Sequence, residues 1–397
     1  MVPGRLIAAL GLAAAAPLLT GASLDLAIGK HLFERNWVSA PSSTKSDDGL
    51  GPLYDAMSCA ACHTSNPRDR ASESALPAGM VIRLGNGRGE GDPVYGVQLQ
   101  THGVAGQVPE AAPAIQWTGK GDLRIPTIVP GSLGYGPLAK DTRLSLRRAP
   151  SLKGAGLLAQ IPESEILSRA DSEDADHDGI AGRVPWVTID GKRVLGRFGW
   201  KATQPDLPAQ VAAAFSRDIG LSTRLRPEPW GDCTAAERAC RAGPHGSEDG
   251  APEVADPLFD LIVGYVAALS PPQPAPAKFA AGKTLFVSIG CAVCHATLHL
   301  ANGKPVPAYT DLLLHDMGGE LGDGIEEGSA DSWFWRTAPL WDVAGSLKTG
   351  GLLHDGRAGD VTEAIEWHGG EARGTRDRFR ALTQSDKAAL VAFVSGL

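Results

Sequence analysis

The sequence predicts a mainly α-helical protein of two related domains, the first enlarged by inserted loops and short strands. Three observations predict it. A cysteine, cysteine, histidine pattern is written twice, at Cys59-Ala60-Ala61-Cys62-His63 and Cys291-Ala292-Val293-Cys294-His295. Each copy follows the same short phrase, Gly29-Lys30-His31-Leu32-Phe33 in one case and Gly282-Lys283-Thr284-Leu285-Phe286 in the other, so the chain repeats itself. Each half also ends in a segment with helical apolar spacing. The halves are unequal in length, and the 49 glycines and 29 prolines among 397 residues imply much loop.

Taken in order, Met1 to Ala22 carry one positive charge, Arg5, an apolar run from Leu6 to Leu19 and then Thr20-Gly21-Ala22, a small-residue cleavage site. The run is too short to span a bilayer and reads as a secretory signal, with the periplasm as destination. Residues 23–270 form the expected N-terminal domain. Its insertion contains runs such as Gly79 to Leu84, Pro93 to Leu99 and Trp186 to Ile189, which read as short strands around turns. It closes with a helix capped at Asp256 and opened by Pro257, with Leu258, Leu261, Ile262, Tyr265 and Leu269 on its apolar face. Residues 271–277 lie in the proline-rich stretch Ser270-Pro271-Pro272-Gln273-Pro274-Ala275-Pro276 and its continuation, a stiff linker. The second domain, 278–397, closes with a helix announced by the capping box Thr383 and Asp386, ahead of Leu390, Phe393, Val394 and Leu397.

The repeated pattern carries the chemistry. Two thiols three positions apart can each add across one vinyl group of a haem, and the following histidine then lies under the iron. This is covalent c-type haem attachment, and two copies imply two haems. A redox-active cysteine pair or half of a zinc site would leave the histidine after each second cysteine unexplained. A haem motif bracketed by an opening and a closing helix is the plan of a small cytochrome c domain. The other two cysteines, Cys233 and Cys240, lie close together in a polar stretch, where a disulfide can close a small loop in an oxidising compartment. The net charge of −8 argues against a nucleic-acid partner, and no stretch after the leader is apolar enough for a transmembrane helix.

Longer phrases give a specific resemblance. They are Gly49-Leu50-Gly51-Pro52-Leu53-Tyr54, Asp92-Pro93-Val94-Tyr95-Gly96, Gly196-Arg197-Phe198-Gly199-Trp200-Lys201-Ala202, Leu314-His315-Asp316-Met317-Gly318 and His354-Asp355-Gly356-Arg357-Ala358. In them the chain resembles the di-haem oxidoreductases named for thiol oxidation, relatives of the bacterial di-haem cytochrome c peroxidases and of MauG, which matures a tryptophan-derived cofactor. The resemblance implies two cytochrome c-like haem domains and a peroxidase-like oxidoreductase. It gives no residue that can be assigned to thiol chemistry.

The resemblance also implies an unequal pair of irons. Those peroxidases place the sixth ligand of the C-terminal haem at the position held here by His368, so His295 and His368 are expected on the second iron. Met317 is the competing ligand and a surface histidine at a polar helix end the plain alternative. For the first iron, His63 is proximal and no sixth ligand stands out. Met80 reads as a packing residue of a strand, and His102 and His177 lie in polar loops. In the relatives a tryptophan near the first haem is followed by a distal glutamine and then a distal acid. Trp200 and Gln210 match the first two, and Asp218 lies near the third but is shorter and off the matching spacing, with Glu163 and Glu165 as substitutes. The expected roles are electron relay for Trp200 and assistance to O–O cleavage for Gln210 and Asp218.

Asp174, Asp176 and Asp178, with Gly179, match the first half of a calcium loop, but Pro185 stands where an EF-hand places its glutamate, and a hydrated acidic turn is the alternative. The reading is therefore a peroxidase-like enzyme that reduces peroxide or a similar oxidant at the first haem. Its electrons come through the second haem from a small cytochrome or a protein substrate. A two-haem electron carrier without catalysis is the alternative.

Overall fold

The computed structural model describes residues 21–44, 48–63, 76–120, 123–272 and 279–397. Of the expected signal only Gly21 and Ala22 are among them, and most of the expected linker lies outside them. No helix among the described residues is long and apolar enough to cross a membrane.

The expectation of a mainly α protein is corrected. Helices account for 29% of the described residues and strands for 19%. No sheet among the described residues has more than three strands. The physical reason lies in the insertion. It is built from strands of two to seven residues joined by glycine turns, too short to show a clean alternating pattern in the sequence. The three-stranded sheet orders Gln98–Leu99, Met80–Gly85 and Arg143–Arg148, with Ile82 facing Leu99 on one side and Leu146 on the other. Met80, Ile82, Leu84, Tyr95, Leu99, Ile115 and Leu146 pack as its core. Of the Pro93 to Leu99 run only Gln98 and Leu99 are strand, the rest being a turn closed between Asp92 and Gly96.

The repeat organises the helices. In the first half Gly21–Glu34 crosses Asp256–Ala268, and in the second Ala280–Ser288 crosses Gln384–Ser395. The shared glycine of the two phrases is the crossing point in both. A Cβ at Gly29 would lie 2.3 Å from the Leu261 carbonyl oxygen, and one at Gly282 would lie 2.1 Å from that of Ala389. Only a bare backbone lets the helices approach so closely.

Thr383 caps the last helix as expected, its hydroxyl accepting from the Asp386 amide at 3.2 Å. In the first half Ala255, not Asp256, is the cap, and the buried stripe is Phe259, Ile262 and Val266. Leu32, Trp37, Phe215, Phe259 and Ile262 form one core, and Phe286, Phe379, Leu390, Phe393 and Val394 another. A larger cluster joins Phe33, Leu158, Phe198 and Val266 to Leu298, Leu312 and Trp341. The space between these cores is the cavity described next.

Candidate functional site

Each cysteine pattern is a single helical turn, Cys59–Cys62 and Cys291–Cys294, closed by the histidine amide on the first cysteine carbonyl at 2.9 and 3.0 Å. His63 Nδ1 lies 3.0 Å from the Pro150 carbonyl and His295 Nδ1 lies 2.9 Å from that of Tyr309. With Nδ1 donating there, each ring keeps Nε2 as the nitrogen that can ligate a metal. Burial pushes the Cys59 and Cys291 thiols up to about 12, so neither has the lowered value of a redox-active pair. Cys233 and Cys240 are joined in a disulfide.

Both patterns line one mostly apolar cavity of about 480 Å³, together with Trp200, Gln210, Asp218 and His368. His368 sits just past the helix Val361–Glu366, with Nδ1 2.7 Å from the Ala364 carbonyl oxygen. The His295 and His368 ring centroids are 6.4 Å apart. Two imidazoles with one metal between them need about 6.2 Å, given metal–nitrogen bonds of about 2.0 Å and about 1.1 Å from nitrogen to ring centre. The spacing therefore fits an iron bound from both sides. Burial depresses the proton affinity of both rings, His295 to about 4, so both are neutral as ligands must be.

The wall near Cys59 is different. The helix Leu207–Ala214 runs into a π turn, Phe215–Ile219, whose wider winding brings Arg217 and Asp218 to the cavity. The turn ends at Gly220, where a Cβ would lie 2.7 Å from the Gly51 Cα, so this element is pressed onto the segment that leads to the first cysteine pattern. Gln98 Nε2 donates to Asp218 Oδ1 at 2.8 Å and to Asp55 Oδ2 at 2.9 Å. Burial raises the Asp218 carboxyl, and burial with the Asp218 charge raises Asp55 to about 7. Arg83, Arg147 and Glu327 complete the polar wall. Glu327 is held at about 2 against its burial, chiefly by Arg147 and Arg83.

The family model described as "Di-haem oxidoreductase, putative peroxidase" matches residues 98–397. The chain belongs to this family. Its matched segment holds the second cysteine pattern, His368 and the π turn, and begins after the first pattern. Among solved structures, a hydrazine synthase of Kuenenia stuttgartiensis pressurized with xenon aligns at 15% identity and a TM-score of 0.26. The alignment covers 69% of this chain and 98% of that one, a likeness too low to bear on fold or chemistry. No curated protein matches the chain.

In this di-haem oxidoreductase Trp200 lines the cavity and donates its indole N–H to the Arg148 carbonyl at 2.8 Å. Gln210 lines it too, its Oε1 directed toward Gly199. Met317 lies on the wall as part of an apolar cluster with Leu321, Trp335 and Trp367. Its neighbour His315 is buried, with Nε2 2.9 Å from Asp311 and Nδ1 2.6 Å from Glu371, and so is committed to two carboxylates. His354 is stacked on Trp335 at 3.8 Å. Met80 is packed in the sheet core, and His102 and His177 are exposed.

Glu163 and Glu165 stand on a short helix outside the cavity wall, Glu165 bonded to Arg169 and His299. In the acidic loop the structure brings Asp171, Asp174 and Asp176 together, whereas Asp178 turns to accept from the Ile180 amide. Asp55, Arg83, Gln98 and Arg217 are wall or supporting residues that sequence reasoning did not single out. The one available signal was a charge or amide inside otherwise apolar strand patterns.

Proposed function

We propose that this chain is a periplasmic c-type di-haem enzyme that reduces hydrogen peroxide or a similar small oxidant on the Cys59 side of the cavity. Cys59, Cys62, Cys291 and Cys294 would hold the two haems as thioethers, with His63 and His295 as ligands to their irons and His368 as a second ligand to the iron held by His295. The reading rests on one asymmetry within a single cavity. The side near His295 meets another imidazole at 6.4 Å, while the side near Cys59 carries Gln98, Arg217 and a carboxyl raised by burial, Asp218.

Bound haem supplies metal centres that accept and donate single electrons. The protein supplies the rest. Asp218, raised by burial, holds a proton more readily than a free carboxyl and is the acid placed to hand one to a leaving oxygen. Gln98 fixes the Asp218 carboxyl by its amide, and Gln210 offers a second amide to a small bound molecule. Arg83 and Arg217 stabilise negative charge on the oxidant. Trp200, on the wall shared by both cysteine patterns, offers a path for electrons from the His368 side. Those electrons come from a small cytochrome or an oxidisable side chain of a partner protein. The apolar leader at Leu6 to Leu19 and the Cys233–Cys240 disulfide support export.

Rapid mixing of the oxidised and half-reduced protein with peroxide tests the assignment. Asp218→Asn should slow the reaction by about a hundredfold with haem content unchanged. Full speed in that variant removes Asp218 from the chemistry.

A further inference from the structure

The buried acid at the cavity is connected to solvent. Asp218 shares the Gln98 side-chain nitrogen with Asp55, so the two carboxyls are within reach of one bridging water. Asp55 Oδ1 accepts from the Thr101 hydroxyl at 2.9 Å and from the Thr101 amide at 3.0 Å. The same hydroxyl lies 3.0 Å from His102 Nδ1, and His102 is exposed.

These positions are set by backbone. Leu53–Tyr54 pairs with His102–Gly103, and the His102 ring stacks on Tyr54 with centroids 5.4 Å apart. The amides of Asp55 and Ala56 both donate to the Asp218 carbonyl, at 2.8 and 2.9 Å. A hydroxyl that accepts from an imidazole N–H and donates to a carboxylate can pass a proton inward by exchanging both bonds.

We infer that His102, Thr101 and Asp55 form the proton entry to the cavity, delivering protons from solvent to Asp218. The inference rests on the peroxide reading for its purpose. Reduction of one peroxide to two waters consumes two electrons, from an external one-electron donor, and two protons, which enter here. The Asp55 carboxyl, raised to about 7 by burial and by the Asp218 charge, can both take up and give up a proton near neutral pH. The other charged groups facing this pair are Arg217 on the π turn, Arg83 on the neighbouring strand, Asp232, and Glu110 across the loop.

Two measurements test it separately from the peroxide chemistry. In the resting holoprotein, transfer to heavy water shifts the infrared band of the protonated buried carboxyls. Asp55→Asn should remove part of that band, Thr101→Val should slow its shift by about tenfold or more, and Thr101→Ser should restore the rate. His102→Ala should slow the peroxide reaction, with added imidazole restoring it and Thr101→Val raising its solvent isotope effect.

A parent protein inert to peroxide would end the functional reading and leave the infrared result standing. Unchanged exchange in Thr101→Val, or a His102→Ala variant of parental rate with no response to imidazole, would overturn the proton entry.

Discussion

Replacement of Lys201 by methionine should cost this protein about 1 to 3 kcal/mol, the cost of leaving a buried acceptor without its donor. Lys201 follows Trp200 and is buried. Its ammonium meets Asp323 at 3.1 Å and the carbonyls of Ile325, Asp331 and Ser332 at 2.6, 3.0 and 3.3 Å. It also lies 4.7 Å from the centre of the Trp335 ring. Methionine keeps the length of the side chain and removes every donor. Asp323 retains Arg147 as a partner, so the carboxylate is not abandoned. The Ile325 carbonyl loses its 2.6 Å donor, whereas those of Asp331 and Ser332 keep the Phe334 and Asp323 amides at 3.1 Å, and a buried acceptor left without a partner costs about 1 to 3 kcal/mol. Urea unfolding of the haem-loaded protein, followed by tryptophan fluorescence, reads the cost as a fall in the midpoint. A midpoint equal to the parent's would refute the reasoning, because it would mean the Ile325 carbonyl finds another donor.

Further outcomes follow from the same geometry. His368→Ala should abolish one low-spin ferric signal in spin resonance while both haems stay attached through their cysteines, and an unchanged spectrum would reassign the ligand to Met317. Gly29→Val and Gly282→Val should each destabilise by about 1 to 3 kcal/mol or more, since the new carbon would collide with a helix carbonyl; thermal midpoints equal to the parent's would contradict the crossing described.

Asp55 and Glu253 should each give up stability as pH rises from about 4 to 7, because both are raised to about 7 in the native state and ionise near 4 in the unfolded chain. Over that window the folded protein binds the extra protons, and above it the dependence levels off. A shift of about 3 units corresponds to roughly 4 kcal/mol for Asp55, and Asp55→Asn should remove that share of the slope. Urea midpoints of the parent and of Asp55→Asn at mildly acidic and mildly alkaline pH measure that share, and an identical pH dependence in the two would contradict the burial of Asp55.

What could be read from the sequence depended on how locally it was encoded. The cysteine patterns and their preceding phrases are contiguous, so the repeat and the helix after Thr383 were legible from spacing alone. His368 was reached through resemblance, and its ring stands where the second imidazole of a pair would be. Met80–Gly85 was read as a strand, but the proportion of helix was overestimated because the paired strands Ala114–Lys120 and Leu123–Val129, each interrupted by a glycine or a proline, were not. In Asp256–Ala268 the apolar residues outnumber the buried ones, so pattern alone chose Leu258 and Leu261 over Phe259 and Val266.

Asp55 was invisible for another reason. Its meaning comes from Gln98, Thr101 and Asp218, which meet it only after the chain has folded across more than 160 residues, and no local pattern records that meeting.

The central claim is that one iron is closed by two imidazoles and the other is open toward Asp218. A spin-resonance spectrum of the fully oxidised holoprotein, recorded before and after peroxide, tests it most directly. The account predicts one low-spin and one high-spin ferric signal, with the high-spin signal consumed on mixing. Two low-spin signals, both unmoved by peroxide, would contradict it.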